Sequence, residues 1–415
     1  MAKIFPIIND AACVYKWAYN TFKVHNGKSS CCHRVTPEVV PLDDFDQVTR
    51  MPGVMEDRER MRKGLWPNSG RGCEYCKDVE DRGGISDRLY HNKIPGLTPV
   101  AFETLGDRSI PSISEVYLDN ACDLACMYCL PQHSSKINNE LLKHGPSVTG
   151  LTYLPRNDRS EEYFEQYMMW LDRHYHDLRR LSILGGEPLI QKRFWVMLQK
   201  LEQKQHPEIE LSINTNLNAD SDAIERYVDI CKRLVLQRRI KRADIQVSID
   251  CWGPQQEFIR HGLDLNQWQK NFEILMQHNW LRIGVHQVIT NLSIGTTNDL
   301  QKLLRDYKTH NPRITQNYHL PDAHKEIYHP EIFGGEFWQQ ELDDIQRDFV
   351  LATEFDQQCL QRLIGIKKSI LAGKPDHRRL NLLKQTLDQL DLRRGTNWKS
   401  LFPAIDQYFS THEIC

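Results

Sequence analysis

Between residues 113 and 320, apolar segments typical of strands alternate with amphipathic segments typical of helices. The strand-type segments are 113–120, 179–186, 209–216, 243–250 and 281–290, with a possible last one at 317–321. The helix-type segments, with apolar residues three or four positions apart, are 160–175, 194–204, 221–234, 265–278 and 297–310. This alternation favours an α/β fold in which helical crossovers connect the strands of a parallel sheet.

The two ends of the chain differ from this alternating region. Residues 1–112 are short segments broken by turns, and their cysteines predict a small N-terminal domain that needs a metal to hold it together. Residues 322–415 are mostly helical and charged. The segment 138–160 is predicted to be an insertion or a loop. We therefore expect three regions, with boundaries at 1–112, 113–321 and 322–415.

Composition excludes several classes of function. The formal net charge is −2, so there is no basic excess to neutralise the phosphates of a nucleic acid. No apolar stretch approaches the about eighteen residues of a transmembrane helix, and the N-terminus does not resemble a secretory signal. We expect a cytoplasmic protein, in which clustered cysteines indicate metal or redox chemistry. The scattered cysteines are predicted to be structural: Cys231, Cys251, Cys359 and Cys415.

The first strand-type segment leads directly into a loop with the spacing Cys-x3-Cys-x2-Cys, formed by Cys122, Cys126 and Cys129. Three thiolates can ligate three irons of a 4Fe–4S cluster and leave the fourth iron open to an exogenous ligand. A zinc site with His133 as the fourth ligand is the alternative. The loop follows the carboxyl end of a strand, where ligands bind in α/β folds, and this favours the cluster.

A second motif, Gly185-Gly186-Glu187-Pro188, ends the next strand. Two glycines let the backbone approach a ligand closely, and the Glu187 carboxylate with exposed carbonyl groups suits an ammonium group. On its own this motif is a simple turn. Paired with the cysteine loop, it indicates a cofactor site.

Together the two motifs resemble those of the radical S-adenosylmethionine (SAM) superfamily, over residues 113–320. The resemblance implies a partial (β/α)6 barrel of the TIM type, a 4Fe–4S cluster, and a 5′-deoxyadenosyl radical that abstracts a substrate hydrogen. It also implies that the Gly-Gly-Glu-Pro motif binds the SAM amino group and that Tyr128 packs near the adenine. Further implied SAM contacts are polar residues near strand ends: Asn214, Asn216, Ser248, Asp250, Thr290 and Asn291.

Residues 61–92 resemble a segment of Twitch-domain radical SAM proteins. In that group a Cys-x2-Cys pair precedes an acidic residue, a glycine and Ser-x-Arg. The corresponding residues here are Cys73, Cys76, Glu80, Gly83 or Gly84, Ser86 and Arg88. The resemblance implies an auxiliary iron–sulfur cluster held by Cys13, Cys32, Cys73 and Cys76. Cys31 competes with Cys32, because neighbouring residues of a strand point to opposite faces. A structural zinc ion on the same four ligands, or no metal, are the alternatives.

This architecture resembles that of enzymes that modify ribosomally made peptides by cross-linking, epimerisation or backbone excision. The expected partners are a precursor peptide or a small peptide-binding accessory protein, and a reductase such as flavodoxin or ferredoxin. A small metabolite or sugar nucleotide is the alternative substrate, and a zinc-binding scaffold is the non-enzymatic alternative. Candidate substrate contacts near strand ends are Asp250, Cys251, Arg260, His286, Tyr318 and residues 320–324.

Overall fold

The computed structural model describes residues 10–81, 86–92, 110–321 and 323–414. Gly83, Gly84, Asp322 and Cys415 therefore lie outside the described residues. The chain divides into two compact units, each assembled from several segments. The first unit takes its described residues from Met1–Asp119, Arg156–Ile213 and Cys231–Ala243, and the second from Asn120–Pro155, Asn214–Ile230 and Asp244–Cys415. The three predicted regions stay predictions.

The described strands are short, and most of them lie where the alternating pattern predicts them. They are β1 (Tyr19–Lys23), β2 (Lys28–Ser30), β3 (Glu38–Val39), β4 (Ile113–Tyr117), β5 (Ala125–Cys126), β6 (Arg180–Leu184), β7 (Glu210–Thr215), β8 (Arg242–Ser248), β9 (Arg260–His261), β10 (Arg282–Val288) and β11 (Ile314–His319). The α/β class with parallel strands is confirmed.

The described α-helices are α1 (Tyr15–Ala18), α2 (Pro52–Arg62), α3 (Glu74–Asp81), α4 (Asp87–His91), α5 (Ser135–His144), α6 (Ser160–His174), α7 (Lys192–Leu201), α8 (Ser221–Leu236), α9 (Pro254–Ile259), α10 (Leu265–Met276), α11 (Ile294–His310), α12 (Gln339–Arg347), α13 (Glu354–Leu371), α14 (His377–Arg394), α15 (Trp398–Leu401) and α16 (Pro403–Thr411). Short 3-10 helices lie at Phe45–Thr49, Tyr175–Asp177, Pro188–Ile190, Ala323–Tyr328, Pro330–Phe333 and Gly335–Trp338. Among the described helices, none has both the length and the apolar character that crossing a membrane requires.

In the first unit, four parallel strands pair in the order β7–β6–β4–β1, and β2 and β3 continue the sheet with antiparallel pairing. Val116 of β4 pairs with Ile183 of β6 on one side and with Phe22 of β1 on the other. All three side chains are fully buried, so this row forms part of the core. Strand β1 was not predicted, and it extends the parallel pairing into the N-terminal region.

In the second unit, β8, β10 and β11 pair in parallel, and β5 forms a separate antiparallel pair with β9. The C-terminal helices pack around Trp398, Leu383 and Leu387, which are fully buried. Met127 and Tyr128, from the cysteine loop, belong to the same hydrophobic core. The C-terminal helices therefore share a core with the loop that carries the three cysteines.

Helix α5 occupies the start of the segment that we predicted to be an insertion or a loop, so the prediction of a loop is wrong for residues 138–144. The Ser134 hydroxyl accepts a hydrogen bond from the Ile137 amide at 3.3 Å and caps the N-terminus. Gly145 follows the C-terminus with a φ of 79°. Ile137 and Leu141 lie four residues apart and are both buried. The capping residues and the spacing of the two apolar residues are both present in the sequence, and together they indicate a helix.

A buried ion pair joins α11 to α13, and breaking it should destabilise the second unit. Lys308 Nζ lies 2.5 Å from Asp356 Oδ1, and neither side chain is exposed. Lys308→Met leaves Asp356 buried without its cation, so we expect the free energy of unfolding to fall by about 3–5 kcal/mol. Chemical denaturation measures this change.

The matched control is Lys302→Met on the same helix. Lys302 pairs with Asp299 at 3.4 Å, and both side chains are more than half exposed. This change should alter the free energy of unfolding by less than about 0.5 kcal/mol. Equal losses for the two variants would contradict the assigned role of the buried pair.

Candidate functional site

Hydrogen bonds hold the backbone of the cysteine loop, residues 122–129, within the second unit. Cys126 of β5 pairs with Arg260 of β9. The Met127 amide donates to the Ile259 carbonyl at 2.9 Å, and the Cys129 amide donates to the Cys126 carbonyl at 3.0 Å. The two short strands thus fix the centre of the loop.

Two serines at the start of α5 form hydrogen bonds with the cysteine loop. The Cys122 amide donates to the Ser135 hydroxyl at 3.1 Å. The Ser134 hydroxyl donates to the Leu124 carbonyl at 2.7 Å. Buried backbone groups need such partners, so these serines stabilise the irregular conformation that the cysteine spacing requires.

Asparagines that follow β7 contact the cysteine loop through Asp123. The Asn216 amide nitrogen lies 2.8 Å from Asp123 Oδ1, and the Asn218 amide nitrogen lies 2.8 Å from Asp123 Oδ2. Asn216 was predicted to contact SAM, and the structure places it beside the loop between Cys122 and Cys126. Asp123 and Asn218 were missed, although Asp123 lies inside the cysteine motif.

A buried ion pair lies next to the central cysteine. Arg260 donates through Nε and Nη2 to the two oxygens of Asp250, both at 3.0 Å. The Tyr128 hydroxyl donates to Asp250 at 2.6 Å, and the Val288 amide donates to it at 2.9 Å. Arg260 Nη1 lies 3.9 Å from Cys126 Sγ. Burial raises the pKa of the Cys126 thiol to about 12, and the Arg260 charge lowers it more than Asp250 raises it.

The remaining predicted SAM contacts of the second unit differ in exposure. Asn214 and Ser248 are partly exposed, in β7 and at the end of β8. Thr290 and Asn291 are buried and bonded to the protein. The Thr290 amide donates to the Ser293 hydroxyl at 2.9 Å, and the Asn291 side chain donates to the Ile327 carbonyl at 2.8 Å. Their contact with SAM stays a prediction, as it does for Asp250 and Tyr128.

The Gly-Gly-Glu-Pro motif lies in the first unit, directly after β6. Gly185 and Gly186 have φ values of 89° and 52°. A Cβ atom on Gly185 would lie 2.9 Å from the Asp119 carbonyl oxygen, so the turn requires glycine there. The fully buried Glu187 accepts a hydrogen bond from the Leu189 amide at 3.1 Å, and Pro188 starts a 3-10 helix.

Five cysteines of the first unit line one pocket: Cys13, Cys31, Cys32, Cys73 and Cys76. Burial raises the pKa of Cys13 to about 12 and that of Cys73 to about 11. Strand β2 ends at Ser30, so Cys31 and Cys32 follow the strand and are not part of it. The premise that they are neighbours in a strand is therefore wrong. Both line the pocket, and which of them is a ligand stays a prediction.

Three polar residues of the segment 61–92 form a hydrogen-bonded network at this pocket: Glu80, Ser86 and Arg88. Arg88 forms an ion pair with Glu80, and the Ser86 hydroxyl donates to the same carboxylate. Arg88 Nη1 also donates to the Ala12 carbonyl at 2.8 Å. The network therefore connects α3, which carries Cys76, to the residue before Cys13. It explains physically why Glu80, Ser86 and Arg88 accompany the cysteine pair.

A buried cation adjoins the five-cysteine pocket and was missed in the sequence. Lys16 Nζ lies 2.5 Å from Asp57 Oδ2, and both side chains are almost completely buried. Burial lowers the pKa of Lys16, but the electrostatic interactions with Cys31, Cys73 and Asp57 raise it by a larger amount. The net effect is a pKa above the usual range of a lysine. Lys16 therefore places a positive charge beside the cysteines that line the pocket.

The cysteine sets fit an iron–sulfur cluster by their donor chemistry. Thiolates are the usual ligands of such clusters, and each thiolate binds a different iron. Within the part of the chain that the structure describes, no group of three or more His, Cys, Asp and Glu side chains is arranged to hold a single metal ion.

The candidate substrate contacts are mostly buried. Cys251 is fully buried and its Sγ lies 3.4 Å from Gln256 Oε1, in agreement with a structural thiol. Tyr318 is also fully buried, and its hydroxyl donates to Gln301. His286 is partly exposed, and its Nε2 lies 2.8 Å from Gln246 Oε1. Contact with substrate stays a prediction for each of them, and for residues 320–324.

No protein family model matches the chain, and no curated protein is similar to it in sequence. Among solved structures, Streptococcus suis SuiB bound to the precursor peptide SuiA is 15% identical, with a TM-score of 0.35, over 72% of this chain and 51% of that chain. The anSMEcpe structure with AdoMet and the Kp18Cys peptide is 15% identical, with a TM-score of 0.35, over 57% of this chain and 60% of that chain. The chain thus matches between half and two thirds of the length of these two proteins. Both of these solved structures contain a bound peptide, and the second also contains AdoMet.

Proposed function

We propose that the chain is a radical SAM enzyme whose catalytic cluster is held by Cys122, Cys126 and Cys129. The observation that carries this proposal is the cysteine loop, which offers three thiolates on a backbone fixed by the β5–β9 pair. The chemistry that a 4Fe–4S cluster and SAM supply together is one-electron cleavage of SAM to methionine and a 5′-deoxyadenosyl radical, which abstracts a substrate hydrogen.

Each predicted SAM contact has a proposed task. Gly185, Gly186, Glu187 and Pro188 are assigned to the SAM amino group, because a carboxylate suits an ammonium group and the glycine turn lets the backbone approach a ligand closely. The residues assigned to the ribose, carboxylate and adenine are Asn214, Asn216, Ser248, Asp250, Thr290, Asn291 and Tyr128. The partial (β/α)6 barrel is the proposed architecture. Parallel pairing of β7–β6–β4 in the first unit and of β8–β10–β11 in the second supports it.

An auxiliary 4Fe–4S cluster is proposed for the five-cysteine pocket. Its ligands are Cys13, Cys32, Cys73 and Cys76, and Cys31 competes for one of these places. Lys16 then offsets part of the negative charge that several thiolates bring into a buried site. Through Arg88, the Glu80–Arg88 pair connects the helix that carries Cys76 to Ala12, the residue before Cys13.

The proposed substrate is a ribosomally made peptide, which undergoes a cross-link, epimerisation or backbone excision. The Twitch-like segment around Cys73 and Cys76 supports this class, since Glu80, Ser86 and Arg88 of that segment contact one another. A precursor peptide or a peptide-binding accessory protein is the proposed partner, and flavodoxin or ferredoxin the proposed electron donor. A candidate peptide should change mass as 5′-deoxyadenosine forms; turnover of a sugar nucleotide alone would contradict the peptide assignment.

Anaerobic reconstitution with iron and sulfide tests the proposed function directly. Two clusters correspond to about eight irons and a similar number of sulfides per chain. With dithionite as reductant, the reconstituted protein should convert SAM to methionine and 5′-deoxyadenosine, measured by liquid chromatography. Zinc without sulfide, or a reconstituted protein that leaves SAM intact, would overturn the proposal.

A further inference from the structure

The Arg260–Asp250 ion pair beside Cys126 forms more contacts than are needed to neutralise the two charges. Arg260 uses Nε and Nη2 to bind both oxygens of Asp250, at 3.0 Å each. The remaining nitrogen, Nη1, lies 3.9 Å from Cys126 Sγ. Asp250 is completely buried and Arg260 is 7% exposed, so water does not screen their charges.

The direction of the guanidinium group is fixed from several sides. A guanidinium is planar, so two parallel hydrogen bonds to one carboxylate set the orientation of the third nitrogen. Asp250 cannot turn, because the Tyr128 hydroxyl and the Val288 amide also bind it, at 2.6 Å and 2.9 Å. The backbones of Cys126 and Arg260 are direct partners in the β5–β9 pair.

A positive charge next to a thiolate ligand has a definite effect on a cluster. Reduction adds one negative charge, and a nearby cation stabilises this reduced state more than the oxidised state. Charge and hydrogen bonds at the cluster sulfurs are among the factors that set reduction potentials. Burying an ion pair is costly, and apolar residues often fill the same space with equal or better stability. Stability alone therefore gives little reason for an arginine at this position.

We propose that Arg260, oriented by Asp250, is a positioning residue that raises the reduction potential of the cluster held by Cys122, Cys126 and Cys129. This inference rests on the proposed function. The contact between Asp250 and Arg260 is seen in the structure. The predicted contact between Asp250 and SAM is an additional role of the same side chain.

The test is the midpoint potential of the reconstituted cluster in the double variant Asp250→Asn/Arg260→Gln, without SAM. Asp250→Asn keeps the shape of its side chain and Arg260→Gln shortens the other, while the two charges disappear together. Potentials come from a redox titration followed by electron paramagnetic resonance (EPR), and the cluster in question is identified in the wild type as the one whose EPR spectrum changes on SAM addition. The equilibrium constant for its one-electron reduction should fall at least about tenfold, which corresponds to 59 mV.

Arg379→Gln is the matched control. Arg379 also lies in the second unit and pairs with the carboxylates of Asp376 and Glu331, but it is one-third exposed. Its loss should change the equilibrium constant less than twofold. If the double variant does not fold, Arg260→Lys replaces it: the ammonium retains the charge but cannot bind both Asp250 oxygens and face the sulfur. Its equilibrium constant should then fall at least about threefold.

The outcomes separate this inference from the proposed function. A wild-type protein that forms no cluster overturns both. A wild-type protein that cleaves SAM, with a variant potential equal to that of the wild type, overturns only the role of Arg260. A lower potential in the variant, with the control unchanged, supports it, since a purely structural pair would alter stability and leave the potential unchanged.

Discussion

Replacing Cys126 with alanine is expected to abolish the formation of 5′-deoxyadenosine from SAM. The substitution leaves two of the three proposed thiolate ligands, so the cluster should be lost or unable to bind SAM. The backbone of residue 126 remains paired with Arg260, and the loop itself should persist. We expect a rate loss of at least about a thousandfold, equivalent to about 4 kcal/mol in the activation free energy. Anaerobic assays with dithionite measure it.

Cys231→Ala provides the control for the loss of a thiol. Cys231 is fully buried in α8 and belongs to neither cysteine group. The control should retain its iron content and its rate of SAM cleavage. If Cys126→Ala keeps more than a tenth of the wild-type rate while remaining folded, the proposed catalytic cluster is contradicted.

The strands of the alternating region could be predicted because their signal is local. Strand β6, at Arg180–Leu184, lies inside the predicted segment 179–186, and β10, at Arg282–Val288, lies inside 281–290. Strands β5 and β9 could not be predicted in this way. Each has two residues, and they pair across more than 130 positions of sequence. Such short strands form because tertiary contacts hold them, and no periodicity reveals them.

In the candidate site, too, local features could be predicted and contacts between distant residues could not. The cysteines were found because spacing is a local property, and five of them do line one pocket. The contacts that charged residues make beside these cysteines were missed. Arg260 lies 134 positions from Cys126, and Asp57 lies 41 positions from Lys16. A single sequence does not show which charge will pack against which thiol. The premise that Cys31 and Cys32 are neighbours in a strand failed for a related reason, because β2 ends at Ser30, before them.

Replacing Cys73 with alanine should separate the two proposed clusters. Cys73 lines the pocket of the first unit, whereas the cysteine loop makes its described backbone contacts within the second. We therefore expect SAM cleavage without substrate to continue at a rate within about threefold of the wild type, a change of less than about 0.7 kcal/mol in the activation free energy. Iron content should fall from about eight to about four atoms per chain. Formation of modified peptide should be lost, because the auxiliary site is proposed to act in substrate turnover.

These readouts together decide what the five-cysteine pocket does. Iron analysis and 5′-deoxyadenosine formation need no knowledge of the substrate, so they test the auxiliary cluster even before the peptide is identified. Cys231→Ala again serves as the control, since its buried thiol is remote from both motifs in the sequence. A Cys73→Ala protein with full iron content would show that Cys31 or another thiol replaces it. A variant with half the iron and normal product formation would reduce the pocket to a structural role, because turnover would then proceed without its metal.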